Sequence, residues 1–426
     1  MRILRLTSVV ERKLLSARAR HDAEAQRVAA HIVAEVRENG DAALARWTQQ
    51  LDGVDLRQSG VWVSRREIAA ARAQMSSDLR RAILHAARNV ERVATKQLPR
   101  PWRVAVEPGV TISQIVRPID SVGCYIPGGR FALISSLIMT AVPAKVAGVR
   151  EIVAVCPKPN AELLAAADLL GVTKIARVGG AQAIAALAYG TARIPRVEKI
   201  CGPGNRFVTA AKQIVSADCA IDLPAGPTEA IVLAAEGNAR WVAADLLAQA
   251  EHAPDAGSFL VTTSVKFAGL VREEVLAQVR QLPSQNPAHQ SIRKAGAILV
   301  APSVRSACDF IDRFAPEHLS LAANHGSLLR QIHSAGTVFL GPWAAQPLGD
   351  YISGSNHVLP TAGWARCRGG LSAADFVKCI SVQSIGQRGF RGLADDAQIL
   401  ARAESLAAHA NAVEVRQRRT RQGKVR

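Results

Sequence analysis

Short apolar runs alternating with helical ones, from Val122 onward, constrain the fold of this chain more than any other feature. VGCYIP, REIVAVC, KIARVGG and KICGPG read as strands, separated by helix candidates near 132–148, 160–170, 181–190 and 206–216. A second series follows, with strands in AIVLAA, SFLVTTS, GAILVA and TVFLG and helix candidates near 239–252, 267–281, 303–314 and 324–334. Alternation at this spacing predicts βαβ units and parallel sheets. Two series predict two lobes. Residues 1–104 read as mostly helical, on the apolar periodicity of HDAEAQRVAAHIVAEVREN and RREIAAARAQMSSDLRRAILHAARNVERV. After Leu371 the chain is expected to turn helical again. The fold class is therefore α/β: two doubly wound, Rossmann-like lobes with parallel sheets, plus small helical amino- and carboxy-terminal appendages.

Bulk properties narrow the function classes. At 426 residues, more than one core is expected. A hydrophobic content of 49% with only 4% aromatics fits a soluble α/β protein and not a disordered one. The seven cysteines are scattered without a C-x-x-C pair, which reads as reduced thiols in a cytosolic protein. The amino terminus has no sustained apolar core of a secretory signal, and Pro143 and Lys145 interrupt the most apolar stretch, Phe131 to Val149. No membrane partner is expected. A net charge of +18 raises nucleic-acid binding. Against it, the arginines are spread along helix faces, and the densest run, Arg416 to Arg426, is a terminal tail without zinc-finger spacing or RNP-like aromatics. No nucleic-acid partner is expected.

Four stretches rich in turn residues carry the polar chemistry: AQAEHAPDAGS, FAPEHLSL, GDYISGSNHVLP and AESLAAHANAV. Together they offer Gln249, His252, Glu317, His318, Asp350 and His409, an oxygen and nitrogen donor set suited to a zinc-type ion with an acid/base pair alongside. Singly, each has an ordinary reading. Gln249 and His252, three apart on a helix, share one side of it, yet equally describe a solvated helix end with a capping histidine. Asp350 and His357 equally describe an Asx-type turn. Glu317 and His318 are neighbours, so both serve one site only if the backbone turns there. Glu404 and His409 lie about 140° apart on an ideal helix. Either the helix ends between them or they approach a site across its end.

Glycine-rich turns mark a second region. CGPGNRFVTAAK follows a strand candidate and opens a helix, where amides face an anion readily. It is not G-x-G-x-x-G, and Asp222 sits in a Pro/Gly-rich segment, so a tight turn that requires glycine explains it equally well. YIPGGR and VGGAQAI have the same placement. Three such turns at the strand ends of one lobe predict a nucleotide crevice.

In order, YIPGG, VGGAQAIAALAYGT, CGPGNRFVTAAK, DLPAGPTEAIVLA, DLLAQAEHAPD, FAPEHLSL, AGTVFLG, GDYISGSNHVLPT, GLSAADFVKCISVQ and AESLAAHANAV resemble histidinol dehydrogenase, the zinc family of histidine biosynthesis, over roughly residues 20–415. The resemblance implies one zinc ion per subunit on Gln249, His252, Asp350 and His409. It makes Glu317 the water-activating carboxylate and His318 the general base. It places Thr228, which stands where a serine is often found, with His357 and Glu404 against the substrate, and the same substrate contacts include the metal ligands and His318. Tyr125, Gln182 and Asn205 fall on the family's NAD contacts, which need no G-x-G-x-x-G. The implied reaction is oxidation of L-histidinol to L-histidine through the aldehyde, in two successive NAD-dependent hydride transfers, in the cytoplasm. The alternative is a related zinc dehydrogenase acting on another small alcohol, such as a sulfonated diol.

The implied organisation is a 1–18 helical extension, a discontinuous first lobe of 19–124 and 229–371, an NAD-binding lobe of 125–228, and a helical domain of 372–426. The last is expected to swap across a homodimer and bring Glu404 and His409 to the partner's site. Arg130 and Phe131 depart from the smaller residues common after YIPGG, and Arg366 and Arg368 add charge before GLSAAD.

Overall fold

The computed structural model describes residues 1–18, 22–128, 133–224, 226–322 and 326–421; Arg130, Phe131 and the end of the basic tail lie outside them. In chain order the strands are β1 (Arg2–Arg5), β2 (Trp102–Glu107), β3 (Val110–Pro118), β4 (Ser121–Tyr125), β5 (Glu151–Val155), β6 (Lys174–Ala176) and β7 (Lys199–Cys201). They continue with β8 (Ala220–Ile221), β9 (Glu229–Leu233), β10 (Gly257–Thr262), β11 (Ala297–Val300), β12 (His318–Leu321), β13 (Thr337–Leu340) and β14 (Val377–Ile385). The chain divides into two compact units: Met1–Gln97 with Ile119–Phe376, and Leu98–Pro118 with Val377–Arg426.

The first unit holds two parallel sheets. One has six strands in the order β1-β11-β10-β9-β12-β13, the other five in the order β6-β5-β4-β7-β8. Both are wound outward from a middle strand, so each has a switch point, at β9/β12 in the first and at β4/β7 in the second. Every residue of β4, β9 and β10 is buried. That is why the AIVL of β9 and the FLV of β10 run apolar without polar alternation: a parallel strand covered by helices on both faces has no solvent side. Helices span Ile134–Ala147, Ala161–Leu169, Gly180–Tyr189 and Arg206–Val215 around the five-stranded sheet, and Ala239–Ala250, Val265–Val279 and Val304–Phe314 around the six-stranded one. The two doubly wound lobes are present as expected.

Three local expectations change. The amino-terminal extension is not wholly helical: it begins with β1, which pairs in parallel with β11 at the sheet edge before the Ser8–Arg18 helix. The 324–334 candidate forms only the short helix Gly326–Leu329. The carboxy-terminal appendage is not purely helical either. In the second unit β14 pairs antiparallel with β3, and β3 with β2, beside the helices Gln387–Ala403 and Ala407–Arg421. These strands alternate apolar and polar residues, as in VTISQIVRP and VKCISVQSI, and β14 is almost wholly exposed. Such period-two strands carry a weaker apolar signal than the buried parallel ones.

Candidate active site

Turns leading into the amino ends of β9 and β12, two interior strands of the six-stranded sheet, build the polar site. The helix Val304–Phe314 ends in Ala315, held at φ 49° and ψ 68° in the left-handed region. That residue redirects the chain through Pro316 so that β12 starts at His318. The adjacent Glu317 and His318 can then share one site, as the sequence reading required. Gly336 permits this: a Cβ there would lie 2.5 Å from the Glu317 carbonyl oxygen, which itself accepts from the Thr337 amide at 3.0 Å. Behind the turn, Arg18 donates to Glu229 (Nε to Oε2, 2.7 Å) and to the Phe314 carbonyl, with its guanidinium 3.7 Å from the centre of the Phe314 ring. Burial pushes Glu229 up to about 7, even with Arg18 upon it and with Glu317 adding to the rise.

Glu317 and His318 are buried, with side chains 8% and 5% exposed. Thr228 Oγ1 donates to Glu317 Oε2 at 2.5 Å, and the Glu229 amide donates to the same oxygen at 3.0 Å. Burial nonetheless raises the Glu317 pKa above the usual carboxylate range, the His318 charge and the Thr228 bond offsetting part of it. His318 stacks on Phe339 at 5.9 Å and 25°. Its Nδ1 is 3.7 Å from Glu317 Oε2 and its Nε2 3.5 Å from Asp350 Oδ1. Neither nitrogen makes a hydrogen bond among the described residues. These separations are long for hydrogen bonds but short for charges. Burial opposes charging the ring, yet the two carboxylates outweigh it and the His318 pKa is raised.

Around this pair stand the other sequence-predicted residues of the first unit. Gln249 occupies the last turn of the Ala239–Ala250 helix and is fully buried. The helix ends sooner than expected, so His252 lies in the following turn and is largely exposed, with Nε2 4.0 Å from Asp350 Oδ2. Asp350 sits not in a loop but on the short helix Gln346–Tyr351; its carboxyl is buried yet held below the usual range by the facing histidines, His318 first. His357 makes a 2.9 Å bond from Nδ1 to the Asp350 carbonyl. Thr228, Gln249, His252, Glu317, His318, Asp350 and His357 thus form one connected set. It lies at the amino ends of β9 and β12, opposite to the carboxy ends where open α/β sheets hold ligands.

Glu404 and His409 belong to the second unit. The Gln387–Ala403 helix ends between them: Glu404 is its cap, Ser405 takes φ 59°, and His409 lies in the first turn of Ala407–Arg421.

Among the described residues no group of three His, Cys, Asp or Glu side chains forms a metal cluster. The donors that are gathered, a Gln carbonyl, an imidazole and a carboxylate beside a buried imidazole with two unbonded nitrogens, suit a zinc-type cation that needs a further ligand.

Tyr125, Gln182 and Asn205 lie at the carboxy side of the five-stranded sheet, around its β4/β7 switch point. Among the described residues, several of the glycine-turn amides there are already taken. Gly180 N donates to Tyr125 Oη at 3.2 Å, and Gly179 N and Gln182 Nε2 both donate to Asp52. Gly202 N donates to Asp222, which is buried against Lys212, so Asp222 is a structural staple and no ribose clamp. Asn205 Oδ1 accepts from the Phe207 and Val208 amides. Open to a dinucleotide there are the exposed side-chain NH2 of Asn205 and the fully buried Gln182 Oε1, which has no hydrogen-bond partner among the described residues. Arg366 and Arg368 do not enter either site: they donate to the Arg313 and Asp222 carbonyls.

Spacing gave no sign of Arg18, Gln346 or Asp52. Glu229 carried one signal, a carboxylate opening a buried apolar strand.

A family model described as histidinol dehydrogenase matches residues 15–417. The histidinol dehydrogenase of Moorella thermoacetica is 45% identical over 395 residues, covering 91% of this chain and 93% of the relative. That of Escherichia coli K12 is 43% identical over 391 residues, covering 90% and 89%. The crystal structure of histidinol dehydrogenase from Elizabethkingia anophelis superposes with a TM-score of 0.93 at 36% identity and covers 99% of both chains.

Proposed function

The chain belongs to the histidinol dehydrogenase family, and from that membership we propose that it oxidises L-histidinol to L-histidine through L-histidinaldehyde, with NAD, at the last step of histidine biosynthesis. The observation that carries this reading is the buried Glu317–His318 pair set directly beside Gln249, His252 and Asp350. Nothing in the site favours the sulfonated diol.

Gln249, His252 and Asp350, with His409 of the partner subunit, hold a zinc ion in this reading. The chemistry such an ion would supply there is that of a template for the substrate's imidazole and amino nitrogens. Tyr125, Gln182 and Asn205 hold NAD, which supplies the hydride acceptor for each of the two oxidations. His318 takes the alcohol proton at a ring nitrogen, helped by the two carboxylates that raise its basicity. Glu317 takes a proton from the water that adds to the aldehyde carbon. Its Oε2 is already engaged by Thr228 and Glu229, so Oε1 is the oxygen left for this transfer. As the water adds, His318 returns its proton to the former carbonyl oxygen, which gives the hydrated aldehyde, and the neutral ring can then accept a proton from it in the second oxidation. Thr228 and His357, with Glu404 of the partner subunit, contact the substrate in this reading. Retaining the aldehyde in one site protects it from side reactions.

A homodimer with the second unit completing the partner's site is supported by apolar side chains that this unit leaves exposed: Trp102, Val104, Val106, Ile380, Val382 and Ile385. Among the described residues no helix is long and apolar enough to cross a membrane, and the reading places the enzyme in the cytoplasm. The test is to supply purified protein with L-histidinol and NAD. Two NADH per histidinol are expected. No NADH from histidinol, with NADH from a sulfonated diol, would transfer the function to the alternative substrate.

A further inference from the structure

We propose that Gln346 is a positioning residue that fixes the amide of Gln249, so that its carbonyl oxygen is held ready for the cation. This rests on the reading of Gln249 as a metal ligand. Gln346 opens the Gln346–Tyr351 helix and is 1% exposed. Its Nε2 donates to Gln249 Oε1 at 2.6 Å. Gln249 Nε2 donates to Thr228 Oγ1 at 2.9 Å, and Thr228 Oγ1 donates to Glu317 Oε2 at 2.5 Å. The four side chains form one directed line of hydrogen bonds.

Its direction follows from donor counting. An ionised Glu317 only accepts, so the single hydroxyl proton of Thr228 goes to it. Thr228 can then only accept from Gln249, which must present its NH2 group there and turn its carbonyl the other way. That carbonyl has two lone pairs. Gln346 occupies one, and the second stays free for a cation. Without Gln346, one bond alone would set the amide, and a buried carbonyl would lose its donor.

Gln346 is also well fixed itself. Its backbone amide donates to Asp245, one turn before Gln249 on the Ala239–Ala250 helix. Four residues after Gln346 on its own helix comes Asp350, a second proposed ligand, so the same short helix carries one ligand and orients another.

The test measures zinc affinity by competition with a chelator, for wild type, Gln346→Met, Gln249→Met and the double variant. Gln346→Met keeps volume and removes the donor. It is expected to weaken zinc binding about 10- to 100-fold, and to weaken it no further in the Gln249→Met background, because it acts through that amide. Unchanged affinity in Gln346→Met, or an equal loss added on top of Gln249→Met, overturns the inference. Should Gln249→Met itself bind zinc as tightly as wild type, the ligand assignment falls and the inference with it. Gln346→Asn, whose amide is one methylene too short, repeats the measurement if the methionine variant does not fold.

Discussion

Thr228 donates a hydroxyl hydrogen bond to Glu317 at 2.5 Å while accepting one from Gln249 at 2.9 Å, so one threonine joins a proposed metal ligand to a proposed base. The bond to Glu317 is charge-assisted, and such bonds contribute about 1.5–3 kcal/mol.

Thr228→Val keeps the shape and removes the hydroxyl. Glu317 then keeps only the Glu229 amide on Oε2. The expected loss in kcat/KM for histidinol is about 10- to 100-fold, and Thr228→Ser should recover most of it. Steady-state kinetics on the two variants decide this. A full-activity valine variant would mean that the hydroxyl does not prepare the carboxylate.

Arg18→Met leaves Glu229 buried without its counter-charge, next to Glu317. Removing one partner of a buried pair costs about 3–5 kcal/mol. Glu229 has a raised folded pKa, about 7, so it is protonated below that pH and the missing charge matters less there. Arg18→Met should therefore lose more stability at about pH 8 than at about pH 5. The double change with Glu229→Gln should restore most of the loss. Thermal unfolding at the two pH values reads both.

Asp245 lies one turn before Gln249, and burial pushes its pKa from 3.8 up to about 6. A raised folded pKa means that stability from the neutral acid is present at low pH and is lost as pH rises through about 6. The shift of about two pKa units corresponds to at most about 3 kcal/mol, and less with partial solvent access. Asp245→Asn stays neutral and still accepts from the Gln346 amide. It should unfold at higher temperature than wild type at about pH 8 and show little difference near pH 4. A lower midpoint at pH 8 would mean that the carboxylate is stabilised by its surroundings.

The buried parallel strands were legible because burial on both faces leaves a continuous apolar run, as in β9 and β10. The helix Ile134–Ala147 was legible too, close to the 132–148 candidate, and Gly148 in the left-handed region closes it. The exposed strands β2 and β14 and the partly buried β3 were not, since their pairing joins residues 110–118 to 377–385, far apart in sequence. In the site, residue types and motifs singled out Gln249, Glu317, His318 and Asp350. They could not show Arg18 or Gln346, whose roles arise from partners 211 and 97 residues away. Nor could they show that the glycine-turn amides near Gln182 are already taken by Asp52 and Tyr125.

The central claim is that His318 and Glu317 divide two oxidations between them in one site. It is tested most directly by measuring Glu317→Gln and His318→Asn against both L-histidinol and L-histidinaldehyde, with zinc content checked. Glu317→Gln should lose far more of the aldehyde oxidation than of the alcohol oxidation, and His318→Asn should lose the alcohol oxidation with zinc retained. Equal losses on both substrates for Glu317→Gln would contradict the division.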